Sequence, residues 1–201
     1  MAARAPLAQD GGVSIIHRTQ LTPTKLELLT DWLPGQPWYR GSGTPELAKA
    51  GGFRLDDPAG EVGMEFMAVT DTSGPGPVTY HVPISYRGAP LPDAPADALI
   101  GTVVHGVLGD RWVYDGLQDP VLAAELTALL KGEVPAHAQS VDGELDPTVL
   151  ARLDGTPGRL EIVRVLAPDD TAPGAAGEVT AEWRLADERR VRGVFVTVHA
   201  D

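Results

Sequence analysis

The stretch "VTYHVPISYR" (78–87) alternates along its length: Val78, Tyr80, Val82, Ile84 and Tyr86 fall on one side, Thr79, His81, Ser85 and Arg87 on the other. Side chains on a pleated backbone point to opposite faces in turn, so a period of two over this length predicts a strand. Upstream, "EVGMEFMAVTD" sets Val62, Met64, Phe66 and Ala68 against Gly63, Glu65, Met67 and Val69. The "TSGPGP" between the two stretches is turn chemistry, and together they predict a hairpin. Pro83 has no amide hydrogen to give to a ladder, which places its strand at an edge or a bulge.

Two helices accompany the strands. In "TPTKLELLTDWL", Thr22 is a candidate cap and Pro23 suits a first helical position. Leu26, Leu29 and Leu33 make the apolar stripe, widened by Leu28 and Trp32, and Pro34 ends it. In "DPVLAAELTALLKGE", Asp119 caps, Pro120 starts, Leu122, Leu126, Leu129 and Leu130 form the buried face, and Gly132 stops the helix. "ALIGTVVHGVLG" and "RWVYDG" predict two strands around a turn near Gly109 and Asp110. "RLEIVRVLAP", "EVTAEWRLAD" and "RRVRGVFVTVH" predict three more, with "ADER" as a hairpin turn. "GSGTPELAKAGG" reads as a loop leading into a helical turn.

Two leucine-rich helices among antiparallel strands give an α+β class, with helix packed across a curved sheet. Along the chain the expected units are a flexible arm at 1–12, a domain at 13–133, a linker at 134–158 with one helical turn near Pro147 to Leu153, and a C-terminal β subdomain at 159–201.

Charge narrows the functions open to such a domain. Sixteen basic residues against twenty-eight acidic ones leave a net charge of −12, which opposes phosphate backbones and anionic lipid. Neither nucleic acid nor membrane is an expected partner. The absence of cysteine excludes disulfides and thiolate chemistry. With no apolar run near the ~20 residues of a membrane span, a cytoplasmic setting is expected.

Catalytic motifs are missing. His17, His81, His105, His137 and His199 stand at no metal-ligand spacing, and neither a metal nor a cofactor is expected. "GTVVHGVLGDRW" has the His-Gly of a sugar-kinase catalytic loop, but Asp110 comes too late after His105. The sequence contains no asparagine to hold magnesium. Lys25, Lys49 and Lys131 fall on no predicted strand. Ser14, Ser42, Ser73, Ser85 and Ser140 lie in no nucleophile elbow. The adjacent pairs Asp56–Asp57 and Asp169–Asp170 read as solvated turns.

The aromatics remain. "DWLPGQPWYRG" (31–41) concentrates Trp32, Trp38 and Tyr39, followed by Arg40, in a chain with only 5% aromatic residues. Such a loop is a packing plug that clamps the helix exit onto the sheet, a platform for a sugar ring, or a docking surface. Arg111, Trp112 and Tyr114 form a second candidate patch. The most informative observation is whether Trp38 is buried.

In order, "TPTKLELLTDWLPGQPWYRG", "GGFRLDDPAGEVGMEF", "YHVPISYRGAPL" and "ALIGTVVHGVLGDRWVYDGLQDPV" resemble the N-terminal cap of actinobacterial maltokinases over about residues 15 to 133. The resemblance implies a cystatin-like fold, a helix against a curved antiparallel sheet. The family block "W-L-P-x-Q-R-W-F/Y-x-G-K" departs here at Pro37 and Ser42, each of which removes a positive charge. No nucleotide-binding lysine, catalytic aspartate loop or metal-binding aspartate motif occurs in 134–201, so the resemblance implies a stand-alone cap-like protein and not a kinase.

The expected function is therefore non-catalytic: contact with, or regulation of, an enzyme of α-glucan, trehalose or maltose metabolism. A small maltooligosaccharide-binding module and a cap subunit completing a sugar kinase in trans are the alternatives. An exposed edge from "RRVRGVFVTVH" offers a route to a homodimer.

Overall fold

The computed structural model describes residues 21–139 and 143–200. The arm expected at 1–12 lies outside them, as do Ser14, His17 and Ser140. In chain order β1 (Leu21–Thr22) and α1 (Lys25–Trp32) lead into β2 (Leu47–Asp56), β3 (Gly63–Asp71) and β4 (Val78–Arg87). A hairpin of β5 (Leu99–His105) and β6 (Gly109–Asp115) precedes α2 (Pro120–Leu130). Then come β7 (His137–Ala138), β8 (Leu150–Leu153), β9 (Arg159–Ile162), β10 (Val165–Leu166), β11 (Gly177–Arg184) and β12 (Arg190–His199). The class is thus a mostly antiparallel sheet with two short helices.

The twelve strands of the described residues form one sheet, in the order β1-β5-β6-β4-β3-β2-β11-β12-β9, and β10 returns to pair with β4. Because β9 and β10 are consecutive, that return closes β4, β3, β2, β11, β12 and the β9–β10 stave into a ring. Phe53, Phe66, Trp183 and Phe195 fill it in a shared core with Leu122, Leu126, Leu129 and Leu130 of α2. Phe53 and Phe66, opposite in register, stack with centroids 4.5 Å apart. On the other face of β3 and β4, Leu29 and Leu33 pack with Met67, Val69, Tyr80, Val82 and Ile84. With a helix on each face, the central strands are buried on both sides. The polar-looking side of β4 is therefore interior: His81 and Ser85 are fully buried.

Several expectations shift. The cap of α1 is Thr24, not Thr22, because Thr24 and Glu27 bond reciprocally in a capping box while Thr22 pairs with Val104 of β5. The stretch 41–52, expected as a loop leading into a helical turn, instead enters β2 at Leu47, which puts Lys49 on a strand, with a bulge between Lys49 and Gly51. A Cβ on Gly52, at φ 119°, would sit 2.0 Å from the Phe66 carbonyl oxygen, so only glycine makes that bend. The helical turn expected near 147–153 is a turn followed by β8. Residues 134–158 supply β7 and β8 to the sheet, and the strands of 159–200 share ladder and core with those of the cap region. β12 pairs with β11 from Arg190 to Val198 and with β9 over Val196–His199, so that end of the edge offered for homodimer pairing is occupied.

Pro83 lies neither at an edge nor in a bulge. β4 pairs β3 along one side, while its other side is divided: β10 takes Thr79 and Tyr80, and β6 takes Ile84 to Arg87. The His81 amide donates to the Arg164 carbonyl on that divided side. Pro83, two residues on, turns its nitrogen the same way, into the interval where the partner strand changes. The missing donor costs nothing there.

Asp119 ties β4 to α2. Its side chain is fully buried, accepts from Arg87 at 2.6 and 2.7 Å, and caps α2 through the Val121 amide. Burial pushes this carboxyl up, but Arg87 and the Val121 amide outweigh it and hold it below its usual range. Arg87→Met should cost about 3 kcal/mol in urea unfolding, since it strands a buried carboxylate; a loss below a third of that would contradict the reading. Asp119 contributes stability that is present above its unfolded pKa of about 3.9 and lost as pH falls through the depressed folded value.

His81 acts over a higher window. Burial, then the nearby Arg164, lower its pKa to about 3, whereas an unfolded histidine takes its proton near about 6.5. Between those values the unfolded chain binds the extra proton, so stability is fully present above the upper one and declines as pH falls toward the lower. His81→Gln should flatten the decline between about pH 6.5 and 5, before carboxylates titrate; an unchanged slope would contradict it.

Candidate functional site

The aromatic loop folds back onto the sheet. Leu33, wholly buried, pins the helix exit, and the turn Leu33–Gly35 redirects the chain. Trp38 then meets Trp32 edge-on at 5.7 Å and Tyr80 of β4 at 5.8 Å, while Tyr39 lies 5.6 Å from Tyr80. Arg164, immediately before β10, places its guanidinium 5.1 Å from the Trp38 ring centre. These spacings suit tilted aromatic pairs and a cation over a ring face.

Two phenols lock the loop. The Tyr80 hydroxyl accepts the Arg40 amide at 2.9 Å. The Tyr39 hydroxyl reaches the Gly43 carbonyl at 3.1 Å and Asp71 Oδ2 at 3.2 Å. Asp71 Oδ1 accepts the amides of Glu46 and Ser73. Burial pushes the Asp71 carboxyl up, but the Ser73 and Glu46 amides together with Tyr39 bring it below its usual range. Burial, and then the adjacent Asp71, push the Tyr39 phenol up.

Trp32, Trp38 and Tyr39 are each half-buried, and Arg40 is exposed. The rings anchor the helix exit while their rims and the Arg40 side chain face solvent. Beside them lies an open groove of about 500 Å³, lined from Thr30, Asp31 and Pro34 at the helix exit and from Tyr39 and residues 41–44 of the loop.

The second patch divides. Val113 enters the core under α1, so its neighbours Trp112 and Tyr114 turn to the opposite face. Tyr114 is 4% exposed and its hydroxyl accepts the Leu91 amide, so it is structural. Trp112 and Arg111 are half-buried, and the Arg111 guanidinium donates to the Asp110 carbonyl. Nearby, the hairpin exposes Val104, Val107 and Leu108. The structure does not bring Trp112 together with Trp38.

The other chemistry-bearing side chains are dispersed. His81 lies between Phe66 and Phe195. His105 Nδ1 accepts the Val107 and Leu108 amides, His137 lies 3.5 Å from Asp56, and His199 lies 3.2 Å from Glu161. Among the described residues no three His, Asp or Glu side chains gather as a metal site, and no helix is long and apolar enough to cross a membrane. Sequence reading missed Tyr80, Asp71 and Arg164 as the residues that hold the loop, because each reaches it from a distant strand or strand entry.

Gly41 reports on this lock. A Cβ there would fall 2.1 Å from the Tyr39 hydroxyl, whereas one on Gly43 meets nothing within 4 Å. Gly41→Ala should expel the Tyr39 ring and lower stability by about 1–2 kcal/mol, through the lost phenol hydrogen bond and packing. Gly43→Ala should stay within about 0.5 kcal/mol of wild type. Thermal melts and near-ultraviolet circular dichroism check both; equal effects would contradict the lock.

No curated protein matches the chain. A family model described as the maltokinase N-terminal cap domain matches residues 32–119, a stretch that includes the aromatic loop and the strands β2 to β6. What is matched is the cap domain, not the kinase catalytic domain. Residues 32–119, from the last residue of α1 to the N-cap of α2, therefore match the maltokinase N-terminal cap domain, in agreement with the resemblance carried by the sequence.

Proposed function

We propose that this protein is a non-catalytic cap-like domain that works by contact with an enzyme of α-glucan, trehalose or maltose metabolism. The family match supports the cap role. The observation that carries the contact role is the loop at 32–44: its backbone is fixed by Tyr80 and Asp71, yet Trp38 and Tyr39 stay half-exposed and Arg40 is exposed. A surface already held in place loses little conformational freedom on binding. Tyrosine, tryptophan and arginine are the residues that most often dominate interface energy.

The groove supports a second reading, a maltooligosaccharide-binding module. Tyr39, Ser42, Thr44 and Asp31 all line it, and an aromatic ring together with hydrogen-bonding groups is what a sugar site requires.

Co-purification of the tagged chain from its source cells distinguishes the readings. An α-glucan- or trehalose-pathway enzyme should enrich over control and be lost with Arg40→Glu, which alters an exposed side chain only; no such enrichment contradicts the contact role. A flat tryptophan-fluorescence titration at millimolar maltooligosaccharide ends the second reading.

A further inference from the structure

The ring of strands is held shut on one side by little backbone pairing. β10 meets β4 through two residue pairs, Val165 with Tyr80 and Leu166 with Thr79. The His81 amide adds one hydrogen bond to the Arg164 carbonyl, and its imidazole Nδ1 lies 3.3 Å from the Val163 carbonyl. Beyond that point β6 takes over the edge of β4, and Pro83 can offer no donor between them. Side chains bridge the interval. Arg164 pairs with Asp115, the last residue of β6, at 2.5 Å, and both are largely buried, with 19% and 14% of their side-chain surfaces exposed.

The same guanidinium lies over the Trp38 ring. Arg164 thus touches three things at once: the end of β6 through its carboxylate partner, the edge of β4 through its own carbonyl, and the aromatic loop through its guanidinium over the Trp38 ring. One buried Nη1 and one buried Oδ1 of the ion pair have no further partner. The pair accordingly depends on packing to exclude water, and Trp38 supplies part of that packing.

We propose that Trp38, Arg164 and Asp115 form a latch that links the position of the aromatic loop to closure of the barrel seam between β4 and β10. Lifting the ring from Arg164 exposes the ion pair to water and weakens it. The two-pair seam then opens locally, while the long β11–β12 ladder stays closed. Pressing the ring down does the reverse. The latch is a property of the chain alone and stands whether or not a partner lands on the loop.

Amide hydrogen exchange on the full chain tests it. The His81 amide donates across the seam, to the Arg164 carbonyl, and the amides of Ala181 and Trp183 in β11 serve as the reference. Trp38→Leu should speed exchange at His81 by roughly threefold to tenfold, the range for a partly desolvated cation–ring contact, with the β11 amides unchanged. Arg164→Met should do the same, and the double variant should be no faster than the faster single one. Arg164→Lys gives a milder version, retaining the charge without the flat face, should either substitution prevent folding. Uniform acceleration across all strands, no acceleration at the seam, or additive effects of the two substitutions would each overturn the latch.

Discussion

The structure depends on how one edge of β4 is shared. A strand has two sides, and β4 commits one to β3 along its whole length while the other passes from β10 to β6. That change of partner lets a single curved sheet do two things. Toward β10 it closes into a ring around Phe53, Phe66, Trp183 and Phe195; toward β6 it splays into the hairpin that α1 covers. The proline in the middle of β4 is tolerated because its nitrogen faces the changeover. An ordinary residue there would have a donor with no ladder to join.

Much of this was legible from local pattern. The alternation in 78–87 assigned the faces of β4 correctly, and α2 begins and ends where Asp119, Pro120 and Gly132 place it. The polar face of β4 was not readable as interior, because burial of Thr79, His81 and Ser85 depends on β12 and α2 arriving from elsewhere in the chain. β2 was hidden by its glycines: Gly51 and Gly52 look like a loop, yet they bend a strand that pairs with β3 along its length and meets β11 at Gly51. Pro83 misled for a related reason, since a rule about edges assumes one partner strand per side.

The candidate site follows the same division. Concentration of Trp32, Trp38, Tyr39 and Arg40 in a proline-bounded loop was evident, and so were the plug and contact readings. In the structure the rings are half-buried, packed on Tyr80 on one side and partly exposed on the other. Tyr80, Asp71 and Arg164, which decide how firmly the loop is held, carry no motif and become visible only through register and closure. In the second patch, Tyr114 is spent on the Leu91 amide, a contact between a strand and a loop that spacing does not encode.

The matched cap segment ends at Asp119, but its interior face is completed by Trp183, Val179 and Phe195 from later strands. The account therefore treats cap strands and C-terminal strands as one cooperative unit. Its most direct test is to cut the chain after residue 133 and follow the fragment's far-ultraviolet circular dichroism through a thermal melt. Without β11 and β12 the stacked phenylalanines face water, so no cooperative transition is expected. A fragment that melts sharply, with the sheet content of the intact protein's first half, would contradict the shared core.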